Sequence, residues 1–463
     1  MRHLSILVSS AACFLAPSVA AQTHRASVGA HSPHRTTPRV CCPGNPYDFS
    51  AANALLLANL SNLSGHVAVI VRQDGLDLYR FQFGDIGYDT KTRLASFTKT
   101  ISAGVVLAVR DAGALALGER LGDALPLFES NGLGDPTIVD AFGMRHGIET
   151  PAPYEIQAFY TLAQSVTLIG INGFLAFTPG TQLGYEGSGM QTVGRIVELR
   201  TGASWEDVAR TRIFDRCSMP GADYQQFAPN PAVAGGLRSS AAETIRYAQM
   251  IVDRGWYAGE RVLSDASVAQ LFTNATRDLP VHATPWPASH ALYPYGVDPD
   301  YGFGTWILAE HPATEHVEEI VGAGAWGSFM WIDRRRGLTA VLITDVPAGS
   351  QGALDSALGL FAIARQQVEA RQSTALVATT EGAAVRLHWQ PAQSSRGSRV
   401  YGSSVAIRDV FDLRAAVLLG STSSNELLVP AFAYYAVTSE FDALENTALV
   451  PGSNSIAASG SGG

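Results

Sequence analysis

Two strand–turn–strand patterns constrain this chain most, because they lie far apart in sequence yet read as parts of one sheet. His66–Arg72 is an apolar, β-branched run, Gln73-Asp74-Gly75 is a turn signal, and Leu76–Phe83 alternates as a returning strand. Downstream, Ser328–Asp333, the turn Arg334–Gly337 and Leu338–Thr344 repeat the arrangement. A strand-like segment, Tyr301–Trp306, and a glycine-rich approach, Val321–Gly327, lead into the second pattern. The interval from about Gly113 to Met219 is mostly helical in pattern, and includes a helix from Met190 to Leu199. Helical spacing also marks Asp48–Leu63, Ala241–Asp253 and Ala353–Ala370. Helix, two strands, helices, strands and a closing helix give an α+β domain: an antiparallel sheet flanked by helices, plus a helical subdomain.

Chemistry concentrates in Leu94–Thr100, where Ser96 and Lys99 stand three apart at the head of an apolar helix, Ile101–Val109. A serine hydroxyl is a poor nucleophile until a base takes its proton, and a desolvated lysine can be that base. Of 32 basic residues only Lys91 and Lys99 are lysines. Arginine cannot deprotonate usefully, so lysine at this position has a chemical reading. Alone, Ser-x-x-Lys is a weak signal, and a helix-capping Ser96 with a solvated Lys99 is the plain alternative.

At 463 residues, 46% hydrophobic and 16% charged, the chain can bury a large core and more than one domain. A net charge of −9 without a basic block argues against a nucleic-acid partner. Residues 1–21 read as a secretory signal: Arg2 and His3, the apolar stretch Leu4–Val19, and small residues at Val19-Ala20-Ala21. The expected location is therefore periplasmic or secreted. No later apolar run is long enough to span a membrane. Residues 22–47 read as a linker. Cleavage removes Cys13, and Cys217 with Cys41 or Cys42 would form one disulfide in an oxidising compartment. No histidine pattern accompanies the cysteines, so neither a metal nor a cofactor is expected.

After about residue 370 the pattern changes. Residues 373–450 read as an all-β sandwich, with Val385, Leu387 and Trp389 alternating, a strand at Arg399–Val405, and a β-rich run at Phe432–Thr438. The segment resembles fibronectin type III domains, Trp389 matching their core tryptophan and Tyr434-Tyr435-Ala436-Val437 their tyrosine strand. Residues 451–463 read as a low-complexity, disordered tail.

In order and spacing, the motifs of residues 48–370 resemble those of the penicillin-recognising serine hydrolases: class C β-lactamases, D-alanyl-D-alanine peptidases and family VIII carboxylesterases. Ser96-Phe97-Thr98-Lys99 matches the first motif, and Pro179-Gly180-Thr181 followed by Tyr185 matches the approach to the second. Tyr301–Trp306 and Trp331-Ile332-Asp333 match the late strands. The resemblance implies a β-lactamase/transpeptidase-like fold and an acyl-enzyme mechanism. Ser96 would be the nucleophile, Lys99 its base or proton relay, and Tyr185 the phenol that passes the proton to the leaving group. The backbone N–H groups of Ser96 and Ala325 would hold the oxyanion. Gly187, Gly322, Gly324 and Trp326 would contact substrate.

Two departures bear on substrate. The second motif ends in Gly187, where the family usually has asparagine, and the third reads Gly322-Ala323-Gly324 without its usual cation. Neutral esters or amides suit that reduced equipment best, since a carboxylate would lose a charge-assisted contact. A D-alanyl peptidase or β-lactamase with a degenerate third motif is the alternative within the enzyme class. A non-catalytic cell-wall or ligand-binding protein is the alternative outside it. The expected partner is a small or peptide-like acyl compound, with the sandwich available for contact with a surface or polymer.

Overall fold

A computed structural model describes residues 46–285, 300–347, 351–442 and 444–458. The leader, nearly all of the 22–47 segment with Cys41 and Cys42, and residues 459–463 lie outside the described residues. The elements that build the first domain are α1 (Ser50–Ala58), β1 (Val67–Gln73), β2 (Leu76–Phe83), α2 (Thr98–Asp111), α3 (Ser188–Thr201), α4 (Ala241–Val252), β3 (Trp306–Glu310), β4 (Val317–Ala323), β5 (Phe329–Asp333), β6 (Leu338–Ile343) and α5 (Gln351–Glu369).

The sheet order is β3-β4-β5-β6-β1-β2, antiparallel throughout. The two hairpins meet along β6 and β1, with Ala68 opposite Ile343 and Val71 opposite Ala340. The central strands β4, β5 and β6 are buried along their whole length; β5 and β6 read as nearly continuous apolar runs, whereas β4 carries the buried Glu318 and Glu319 and extends upstream of the glycine-rich approach expected at Val321–Gly327. On one face Trp331 stacks on Phe361 of α5 with ring centroids 4.9 Å apart. The other face carries α2 and α4. Charge buried beside Trp331 is paired: Glu319 accepts from Trp331 Nε1 (2.9 Å), Arg336 (3.1 Å) and Arg365 Nε (2.9 Å).

Several expectations shift. Tyr301–Thr305 is a loop and not a strand, turning at Gly304 (φ +78°), and the strand begins at Trp306. A Cβ at Gly304 would lie 2.7 Å from both Lys99 O and Ala103 Cβ, so glycine lets this loop rest directly on α2. Tyr47 belongs to the body of the fold, buried with its hydroxyl donating to Gln73 Oε1 (3.1 Å). Cys217 is a free thiol in the core, where burial pushes it up to about 12. Its expected partners lie outside the described residues.

The C-terminal region forms a three-stranded and a five-stranded sheet. Its strands are β7 (Thr374–Glu381), β8 (Ala384–Gln390), β9 (Gly397–Ser403), β10 (Val417–Thr422), β11 (Glu426–Pro430), β12 (Tyr434–Phe441), β13 (Leu444–Asn446) and β14 (Ser455–Ala457). One sheet runs β7-β8-β11, the other β10-β9-β12-β13, with β14 also on β12. Leu387, Trp389, Val400, Tyr435 and Val437 form the core between them. The expected disordered tail is thus partly ordered, because Ser455–Ala457 pairs with Tyr434–Ala436. The sandwich is docked on the first domain: Asp409 pairs with Arg334 (2.7 Å) and His316 (2.9 Å), and Val410, Phe411, Leu444 and Ala448 join the main core. No helix of the described residues is long and apolar enough to cross a membrane.

Candidate active site

Ser96 lies in a single 3-10 turn, Ala95–Phe97, which runs straight into α2. It therefore precedes the helix and is not part of it. Ala95 takes φ +46°, a left-handed conformation ordinarily left to glycine. That kink turns the chain from the short pairing of Thr92–Arg93 with Arg238–Ser239 into the helix and presents the serine at its head. The turn is tied down from both sides: Leu94 N–H donates to Leu237 O (3.0 Å), and Leu237 N–H donates to Thr98 Oγ1 (3.1 Å).

Lys99 is buried, not solvated. Its Nζ donates to Ser96 Oγ at 3.0 Å and to Ala234 O at 2.9 Å. The second contact fixes the amine beside the hydroxyl, and it comes from the loop at Ala234–Gly236, far from Lys99 in sequence. Tyr185 is held through its N–H to Ala283 O (2.9 Å) and by packing. Its ring stacks on Trp306 (centroids 5.0 Å) and meets Tyr301 edge-on (5.7 Å). Lys99 Nζ sits 4.7 Å from the Tyr185 ring centroid, a cation–π distance. The fold thus brings Tyr185 and the Ala234 loop against the single segment that carries Ser96 and Lys99.

The third-motif segment lies along the same wall. A Cβ at Gly322 would lie 2.5 Å from Thr100 Oγ1 and 3.4 Å from the Phe97 ring. A Cβ at Gly324 would strike Leu94 O. These two glycines, expected to contact substrate, have their open side filled by the protein itself and close β4 onto α2. Gly324 thus packs against Leu94, the residue just before the turn that carries Ser96, and Ala325 follows it in the chain. Trp326 is half-buried at the rim, under the exposed Arg93 guanidinium 4.2 Å from its ring.

Gly187 is the residue before α3. Beside it stand two carboxyl groups that sequence reasoning missed. Glu186 accepts from the Gly187 N–H (2.9 Å) at the start of α3, and burial holds its carboxyl above the usual carboxylate range. Glu155, on the 3-10 turn Tyr154–Ile156, is only 5% exposed. Burial and the neighbouring Glu186 raise it to about 8 against the pull of Lys99. Neither residue had a local sequence signal, because each matters only through what the fold places against it. His146, fully buried below them, accepts from Ile148 N–H at Nδ1 (3.0 Å), and its Nε2 faces Glu186 O (3.4 Å). Burial lowers His146 to about 4. A separate open hollow of about 660 Å³, lined by Arg195, Glu198, Trp205 and Tyr224 among others, shares no residue with this site.

The arrangement holds a nucleophile, an adjacent amine and an aromatic hydroxyl residue, which is the equipment for acyl transfer. Comparison with known proteins agrees. The chain is 28% identical over 250 residues to penicillin-binding protein 4 of Amycolatopsis lactamdurans; the match covers 46% of this chain and 65% of that protein's own length. Its fold is shared with a putative beta-lactamase from Bacteroides dorei DSM 17855, at 24% identity and TM-score 0.61, over 69% of this chain and 100% of that one. It is shared also with the octameric penicillin-binding protein homologue from Pyrococcus abyssi, at 14% identity and TM-score 0.54, over 86% of this chain and 95% of that one. The Beta-lactamase family model matches residues 65–363, more than half the chain and all of the elements that build the site, and the chain belongs to the beta-lactamase family of serine hydrolases.

Proposed function

We propose that this chain is an exported serine hydrolase that forms an acyl-enzyme on Ser96 from neutral carboxylic esters or amides. The observation that carries the reading is the 3.0 Å contact between Lys99 Nζ and Ser96 Oγ, with Lys99 buried and anchored on Ala234 O. Ser96 Oγ attacks the acyl carbon as its proton passes to Lys99. The backbone N–H groups of Ser96 and Ala325 hold the oxyanion, and the head of α2 adds a favourable dipole. Lys99 and Tyr185 return the proton to the leaving group, and water releases the acid by the reverse route.

The preference for neutral substrates rests on the wall at Gly322, where Thr100 fills the space a cationic side chain would need. A peptidase or β-lactamase reading is supported by the likeness to penicillin-binding protein 4; Arg93, exposed beside Trp326, is already paired with Asp345 (2.9 Å) and would have to exchange that partner to bind a substrate carboxylate. The readings separate by incubating the protein with a fluorophosphonate, a short p-nitrophenyl ester and a chromogenic cephalosporin, alongside Ser96→Ala. Labelling and ester turnover that depend on Ser96, with little cephalosporin cleavage, are expected. Cephalosporin turnover would transfer the reading to the peptidase or β-lactamase class. Export is checked by finding the residue that begins the mature protein.

A further inference from the structure

We infer that Gln191 and Ser102 are positioning residues for the reaction: from two helices they hold Val233, and through it the Ala234 carbonyl that keeps the Lys99 amine beside Ser96. The inference rests on the acyl-transfer reading of Ser96 and Lys99. A lysine side chain is long and rich in rotamers, so its amine stays in one place only where partners hold it. Among the described residues Lys99 Nζ donates to two groups. Ser96 Oγ, at 3.0 Å, is the group to be activated; Ala234 O, at 2.9 Å, takes no part in the chemistry. Whatever holds Ala234 O therefore sets the distance over which the Ser96 proton moves.

The loop that carries Ala234 is a tight turn and not part of a helix or strand. Ala232 takes φ +48°, a left-handed conformation that is costly for a non-glycine residue and persists where its surroundings impose it. Its carbonyl accepts from Gly235 N–H (2.8 Å) and Gly236 N–H (2.7 Å), and a Cβ at Gly236 would strike Pro231 O. Within this turn both polar backbone groups of Val233 are spent on buried side chains. Its N–H donates to Gln191 Oε1 (2.9 Å), and its carbonyl accepts from Ser102 Oγ (2.6 Å). Its apolar side chain is seated as well, since a Cβ at Gly194 would lie 2.5 Å from Val233 Cγ2. Val233 is gripped by α3 through Gln191 and Gly194, and by α2 through Ser102, one helical turn beyond Lys99.

Both grips are themselves fixed in direction. Gln191, Ser102 and Asn230 are fully buried. Gln191 Nε2 donates to Asn230 Oδ1 (2.7 Å) and to Ser165 Oγ (3.1 Å), which leaves Oε1 to face the Val233 N–H. Asn230 Oδ1 also accepts from Ala232 N–H (3.1 Å), so the same amide network holds the residue on the other side of Val233. A serine hydroxyl has a single proton to give, and Ser102 gives it to Val233 O. In its 2.8 Å contact with Tyr224 Oη the tyrosine is therefore the donor, and it orients the serine. Gln191 and Ser102 act on Ser96 through Val233, Ala234 and Lys99, as supports for the reacting groups.

The test uses the full chain, with kcat and KM on a short p-nitrophenyl ester and the rate of Ser96 labelling by a fluorophosphonate. Gln191→Met keeps the length of the side chain and removes the acceptor for Val233 N–H. It is expected to lower kcat and the labelling rate by about ten- to a hundredfold with KM little changed, because a misplaced base slows the chemical step more than binding. Ser102→Ala removes the other grip and should act in the same direction, and it carries the test if Gln191→Met does not fold. Ser165→Ala takes away a partner of Gln191 that does not reach Val233, so it should lower the melting temperature and leave both rates near those of the wild type. Lys99→Ala is the background that separates positioning from a general weakening of the fold. Once the lysine is gone, Gln191→Met or Ser102→Ala should slow the remaining labelling no further. A lowered melting temperature with unchanged kcat in either variant, a loss in Ser165→Ala as large as in Gln191→Met, or the same fractional loss of labelling in the Lys99→Ala background overturns the inference while Ser96 labelling stands. Absence of Ser96-dependent labelling in the wild type instead removes the acyl-transfer reading beneath it.

Discussion

Gly322→Ala tests the claim that the protein itself closes the third-motif position. The new Cβ would meet Thr100 Oγ1 at 2.5 Å and the Phe97 ring at 3.4 Å. Thr100 cannot simply rotate away. Its Oγ1 donates to Gly304 O (3.0 Å), and a β-branched side chain in a helix is stiff at χ1. Moving it would leave a buried carbonyl without its donor, at about 1–3 kcal/mol. Leaving it in place overpacks the seam between β4 and α2, which also costs about 1–3 kcal/mol. Both routes give a similar size, so Gly322→Ala should destabilise by roughly 2 kcal/mol. Thr100→Ala should cost about 1–3 kcal/mol through the lost hydrogen bond. In the double variant the collision is gone, so the two effects should fall short of their sum by about 1 kcal/mol or more. Denaturant midpoints for the four proteins provide the cycle, and Ser96 labelling by a fluorophosphonate reports whether the head of α2 stays in place. A Gly322→Ala protein as stable as the wild type, or strict additivity in the double variant, would refute the reasoning.

Further outcomes follow from the same geometry. Lys99→Ala should slow Ser96 labelling by about 10²–10⁴-fold with the melting temperature little changed, and Lys99→Arg should fail to rescue it because guanidinium does not give up its proton. His146 is depressed to about 4 in the folded chain from an ordinary 6.5, so between those values the unfolded chain binds a proton that the native one does not. Stability should therefore fall as pH drops from 6.5 towards 4, by up to roughly 3 kcal/mol, and His146→Gln should flatten that slope in acid denaturation. Asp409→Ala removes the buried partner of Arg334 and His316 and the cap of the helix Val410–Ala415. It should cost about 3–5 kcal/mol and expose the joint near residues 370–373 to limited proteolysis; an unchanged cleavage pattern would show that the sandwich docks without this pair.

Patterns that repeat along the chain were legible before any coordinates. The continuous apolar runs of β1, β5 and β6 declare strands buried on both faces, and the turn Gln73-Asp74-Gly75 declares a hairpin. Ser96 and Lys99 stand three residues apart where a 3-10 turn runs into α2, so their proximity is a local fact. Tyr185 reached the site list by resemblance, since nothing in its own neighbourhood says which way its ring faces. What tertiary structure alone decided depends on non-local packing. It placed β6 beside β1, turned Tyr301–Thr305 into a loop resting on α2 at Gly304, and supplied Ala234 O as the anchor of Lys99. It also gave Gly322 its meaning. In sequence it looks like a loss from a motif; in space Thr100 occupies what it vacates, and no local rule links residues that meet only after the chain has folded.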